Sequence, residues 1–128
     1  MATGAGLTLR NRRALRQAVL DELDRVDEQI TALARSFDDI VAGTELTNTD
    51  DEHDPEGNTI AFERSQVSSL LLQARADRIA LSATLDRVND PAYGVCGECG
   101  GFIGVERLLA IPVASRCIGC ARRPGLAP

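Results

Sequence analysis

Two runs of this chain repeat their apolar residues at alternating steps of three and four, and that pattern restricts them to long helices packed side by side. From about residue 9 to 41 the repeat is Val19, Leu23, Val26, Ile30, Leu33, Phe37 and Ile40, with Leu15 and Leu20 beside it. A period of 3.5 residues is a coiled-coil seam, narrower than the face of a globular helix. No Pro or Gly interrupts it. Thr8 can cap the start, although arginines in the first turns oppose the helix dipole. A second seam, over about 59–89, holds Ile60, Val67, Leu71, Ala74, Leu81, Leu85 and Val88. Arg64 and Arg78 fill its two remaining places, where an arginine can lay its methylenes along the seam and bring its charge out to water. Asn89-Asp90-Pro91 closes the run, because Pro disfavours helix in the residue before it.

Residues 42–58 are polar and acidic and include Gly43, Pro55 and Gly57, which predicts a loop. Two helices joined by such a loop form an antiparallel hairpin, about 45–50 Å long at ~1.5 Å per residue. The alternative is one strand of an intermolecular coiled coil. The expected division is a hairpin over 1–89 and a small domain over 90–128. The fold class is mainly α.

Composition agrees with thin helices. The chain is 44% hydrophobic but only 3% aromatic and lacks Trp, so it has few of the large rings that anchor a wide core. It has no apolar run of the ~20 residues a membrane helix needs, and no signal-peptide pattern, so a cytoplasmic protein is expected. All 14 basic residues are arginine, against 19 acids. Between Arg35 and Arg64 nine acids occur with no base, so the loop is strongly negative; Arg10, Arg12, Arg13 and Arg16 stand without a nearby acid. A net charge of −5 disfavours direct, sequence-specific DNA binding as the main activity. No nucleophile–base set or phosphate loop is present, and an enzyme is not expected.

All four cysteines lie in the last third, as Cys96-Gly-Glu-Cys99 and Cys117-Ile-Gly-Cys120 with 17 residues between the pairs. That is zinc-ribbon spacing. Each C-x-x-C turn offers two thiolates on one side, and two turns complete the tetrahedron Zn²⁺ accepts. A 39-residue segment with so few large apolar side chains buries too little surface to fold comfortably alone, and a structural zinc supplies the difference. Two disulfides, a single iron, or a catalytic zinc are the competing occupants. The first needs an oxidising compartment and the last an open coordination position.

Asp90-Pro-Ala-Tyr93-Gly94-Val-Cys96-Gly-Glu-Cys99-Gly100, then Gly104-Val-Glu-Arg107-Leu108-Leu-Ala110-Ile-Pro112, then Cys117-Ile-Gly-Cys120, resembles the DksA/TraR zinc finger family of bacterial transcription regulators. The resemblance covers residues 90–120, and the acid-tipped hairpin before it matches the same architecture. It implies one structural Zn²⁺ on Cys96, Cys99, Cys117 and Cys120. It further implies RNA polymerase as partner, entered through the secondary channel, with an acidic coiled-coil tip near the catalytic Mg²⁺. The family's tip motif is Asp-x-x-Asp-x-Ala; here Asp51-x-x-Asp54-x-Glu56 keeps both acids and replaces the Ala, while the other register, Asp54-x-x-Gly57-x-Thr59, loses the second acid, so neither matches in full. Asp51, Asp54 and Glu56 are therefore the candidate polymerase contacts. The positions matching the family's alarmone site hold Ala80, Ile111 and Ala121, and a polyphosphate needs cations, so alarmone binding is not expected unless Arg122 and Arg123 substitute.

The plain alternative for the loop is a solvated turn. Glu52-x-Asp54-x-Glu56-Gly57-x5-Glu63 also has calcium-loop spacing, but its first ligand is Glu, Pro55 stiffens it and no partner loop exists. His53, the only histidine, is assigned no role. The rival function is a zinc-stabilised coiled-coil adaptor with a partner other than RNA polymerase.

Overall fold

The computed structural model describes residues 6–46 and 55–123, with only the backbone described for 44–46 and 55–57. Four helices follow in order: α1 (Leu9–Leu46), α2 (Pro55–Arg87), α3 (Val105–Ala110) and α4 (Ile118–Ala121). Among the described residues there is no strand beyond one isolated antiparallel bridge, Val95 to Phe102. No described helix is long and apolar enough to cross a membrane.

The two long helices form the hairpin that their seams call for, but their ends differ from a reading of composition. α1 runs past Val41 to Leu46, and α2 begins at Pro55 rather than Thr59. Both extensions have a local cause. A single Gly costs a helix about 1 kcal/mol without stopping it. Pro is well placed at the first helical position, where its missing N–H has no partner to lose.

The fold divides into two compact units, each holding part of both helices. In Asp24–Ile79 the helices pair antiparallel: Arg78 Nε donates to Asp27 Oδ1 at 2.6 Å, and Phe37 and Leu71 line one groove. Val26 and Ala74 are buried, while Ile30, Leu33, Phe37, Ile40, Val67 and Leu71 are half-buried. Arg78 thus reaches an acid across the hairpin, and the pair stays about half exposed to water.

The other unit joins the start of α1, up to Leu23, with everything from Ala80 onward. Its core gathers Leu15, Val88, Tyr93, Cys96, Ile103, Leu108 and Cys120, with Leu7 packed against it. Thr84, a polar residue beside the second seam, can be buried because its hydroxyl donates to the Ala80 carbonyl at 2.8 Å.

Arg12 closes the C-terminal end of α2. One of its terminal nitrogens donates to the carbonyls of Val88 at 2.7 Å and Asp90 at 2.9 Å, just past the end of the helix, and the Asp90 carbonyl also accepts the Tyr93 N–H at 3.0 Å. Replacing Arg12 by Met is therefore expected to cost about 1–2 kcal/mol, since charged donors to carbonyls are the stronger class. Arg78→Met, which removes an ion pair exposed on both sides, should cost under about 1 kcal/mol. Urea midpoints of the two variants check the ranking, and equal losses would contradict it.

Candidate metal centre

The first cysteine turn is built by a short reversal of the chain. Cys96 N–H donates to the Gly101 carbonyl at 2.8 Å, Gly100 N–H to the Cys96 carbonyl at 3.0 Å, and Ile103 N–H to Gly94 at 2.8 Å. Gly94 has φ +92, and a Cβ there would meet Phe102, Leu7 and Leu108 at 3.2–3.4 Å, so the position needs glycine twice over. The second cysteine turn opens α4. Cys117 is its N-cap, and its sulfur accepts the Cys120 N–H at 3.5 Å. Gly97 N–H donates to the Ser115 carbonyl at 2.8 Å and ties the two turns together.

Three further contacts hold this arrangement. Tyr93 is buried and its hydroxyl donates to the Pro112 carbonyl at 2.8 Å. Burial raises its pKa, outweighing the nearby charges of Arg87 and Arg12, so the phenol keeps the proton this bond uses. The Arg87 guanidinium sits 5.9 Å from the Tyr93 ring centroid, in cation–π range. Arg107 Nε donates to the Arg116 carbonyl at 2.9 Å, while Leu108 beside it is fully buried. Spacing alone gave these residues no role; a Gly-x-x-Arg-Leu stretch carries no signal of which distant carbonyl its arginine meets.

The sulfur atoms of Cys96, Cys99, Cys117 and Cys120 all lie within 4.8 Å of one another, with Cys99 and Cys117 3.8 Å apart. A tetrahedron with zinc–sulfur bonds of about 2.3 Å has edges of about 3.8 Å, so the set fits a single Zn²⁺. The Gly101 N–H lies 3.4 Å from the Cys99 sulfur and orients that ligand, as the Cys120 N–H does for Cys117. The thiols hold their protons unevenly. N–H groups of Cys99 and then Cys117 pull Cys96 down to about 6, and the Cys120 N–H lowers Cys117. The hydrogen bond to Cys117, followed by burial, pushes Cys120 up to about 12. A divalent cation among them favours the thiolate throughout. The site carries one structural zinc ion: four sulfurs fill its coordination sphere and leave no position for a substrate.

Of the other candidate residues, Asp51 and Asp54 lie outside the described residues, as do His53 and the start of the calcium-loop pattern. Glu56 is placed by its backbone alone, in the first turn of α2.

Comparison with known proteins follows the same division. Residues 91–124 match the family model of the prokaryotic dksA/traR C4-type zinc finger. A stretch of 40 residues is 45% identical to the RNA polymerase-binding transcription factor DksA of Escherichia coli K12 and to that of Salmonella typhimurium LT2, and 40% identical to that of Buchnera aphidicola. That stretch is 31% of this chain and spans 26% of the length of those relatives. The fold is similar to the solved structure of the transcription factor DksA2 from Pseudomonas aeruginosa, with a TM-score of 0.73 and 21% identity over 90% of this chain and 83% of that one. Residues 91–124 are thus a dksA/traR-type C4 zinc finger, carried on a fold similar to that of DksA2.

Proposed function

We propose that this chain is a non-enzymatic transcription regulator that binds RNA polymerase through the secondary channel and recognises no promoter directly. The observation that carries the reading is the pairing of a DksA/TraR finger with a two-helix hairpin, in a chain whose relatives are named for binding RNA polymerase. The working division is a hairpin over 1–89 and a finger over 90–128. Zinc on Cys96, Cys99, Cys117 and Cys120 keeps the finger folded, and Asp51, Asp54 and Glu56 meet the polymerase. Nine acids between Arg35 and Arg64 give that segment the charge to engage basic side chains or a bound divalent metal. Ala80, Ile111 and Ala121 bring no cation to the positions that correspond to the alarmone site, so the effect is expected without a nucleotide.

The test is co-elution of the zinc-loaded chain with RNA polymerase core enzyme, followed by in vitro transcription. Asp51→Asn together with Asp54→Asn is expected to abolish the change in transcript yield while leaving co-elution intact. A wild-type chain that neither co-elutes nor changes transcription would overturn the proposal and leave the adaptor reading.

A further inference from the structure

The face of α2 turned away from its own core carries an uncharged stripe with exposed large apolar residues. Val67, Leu71, Ala74 and Leu81 point into the core or its margin, and on the opposite side of the same continuous helix a second heptad stripe runs Ser65, Ser69, Leu72, Ala76, Ile79 and Ala83. All six are exposed, Leu72 to 65% and Ile79 to 71%, and none is charged. A helix that meets water on its outer face normally carries charge there. α1 obeys that rule: its exposed positions include Arg16, Asp24, Asp27, Glu28 and Arg35.

We propose that this stripe is the seam of an antiparallel homodimer, α2 lying against α2 of a second copy. The sequence of the stripe is complementary to its own reverse. When Leu72 is set against the partner's Ala76, the two-fold sets Ile79 against the partner's Ser69 and Ala83 against the partner's Ser65. Every bulky residue then meets a small one, and small residues let two helices approach closely. At the two ends of the pair the charges agree with this register. In an antiparallel pair related by a two-fold, each edge of the seam faces the same edge of the partner. Arg64 and Asp86 share one edge, and the register brings Arg64 to within about 3 Å of the partner's Asp86 along the axis, at both ends of the pair. Neither side chain has an ion pair or hydrogen bond within its own chain among the described residues. Arg75, nearest the two-fold, is set about 3 Å along the axis from the partner's Arg75, a like pair that the two outer ion pairs must offset, and it shares a groove of its own chain with Asp38. One helix face per copy is a small interface, so the dimer is a micromolar one.

Sedimentation equilibrium of the zinc-loaded full chain, from low to several hundred micromolar, tests this. The apparent mass is expected to rise from 13.7 kDa toward twice that value. Leu72→Glu together with Ile79→Glu should hold the mass at the monomer value with unchanged helical circular dichroism. Arg64→Glu and Asp86→Arg should each weaken association about three- to tenfold, as two exposed ion pairs allow, and the double exchange should restore it. These surface charge variants keep the test open if the first pair fails to fold. A wild type that stays monomeric throughout overturns the proposal, as does a dimer that survives Leu72→Glu and Ile79→Glu. Charge exchange without restoration excludes the register.

Discussion

Chelating the zinc, or replacing Cys96 or Cys120 by Ser, is expected to unfold residues 90–123 and leave most of the helical signal in place. The finger cannot fold by burial alone. Its core has seven members, two of which are the ligands Cys96 and Cys120, and its backbone bonding consists of turns, two short helices and one bridge. Structural zinc contributes roughly 10–16 kcal/mol of apparent binding free energy, on the scale of a whole domain's stability of about 5–15 kcal/mol. The chain provides its own reporter. Tyr93 is the sole tyrosine, there is no Trp, and its ring packs in that core. Tyrosine emission and near-ultraviolet dichroism should therefore collapse on chelation, while the far-ultraviolet helix signal falls much less. Acid should act in the same direction, because protons compete with the metal for each thiolate and affinity falls as pH falls. Finger amides that keep their exchange protection after metal removal would overturn this account.

What the sequence made legible depended on how local the signal was. The heptad seams are local repeats, and Val19, Val26, Ala74, Leu81 and Val88 are buried where the period places them. Cysteine spacing is likewise a local count with one chemical solution, and the four sulfurs do converge. Residues whose partners lie far along the chain were less readable. Arg12 reads as one member of a basic cluster, yet it caps a helix that ends 75 positions later, at Arg87. Tyr93 and Arg107 meet the carbonyls of Pro112 and Arg116, which carry no side-chain signature at all. Thr84 is hidden by a bond to its own helix, which polarity alone conceals. The exposed stripe of Leu72 and Ile79 was missed for a related reason. A period search on α2 finds the seam that packs on α1 and leaves a second apolar phase uncounted.

Leu15→Ala is expected to weaken zinc binding from a residue that touches no metal. Leu15 lies on α1 yet is fully buried within the same cluster as Cys96, Cys120 and Leu108. Truncating a buried leucine costs about 3–5 kcal/mol, the lost transfer term plus the cavity left behind. Because forming the metal site and folding the finger are one transition, part of that cost must appear in the zinc equilibrium. Each 1.4 kcal/mol is a factor of about ten, so a loss of ~3 kcal/mol weakens zinc affinity by roughly a hundredfold. Competition with a chromophoric chelator measures this directly. Arg78→Met serves as the control, since its ion pair is exposed and belongs to the other unit, and it should leave zinc affinity unchanged. Equal zinc affinity in wild type and Leu15→Ala would mean that the finger folds without α1. In that case the cluster joining Leu15 and Val88 to the cysteines would be a contact between finished parts, not a shared core.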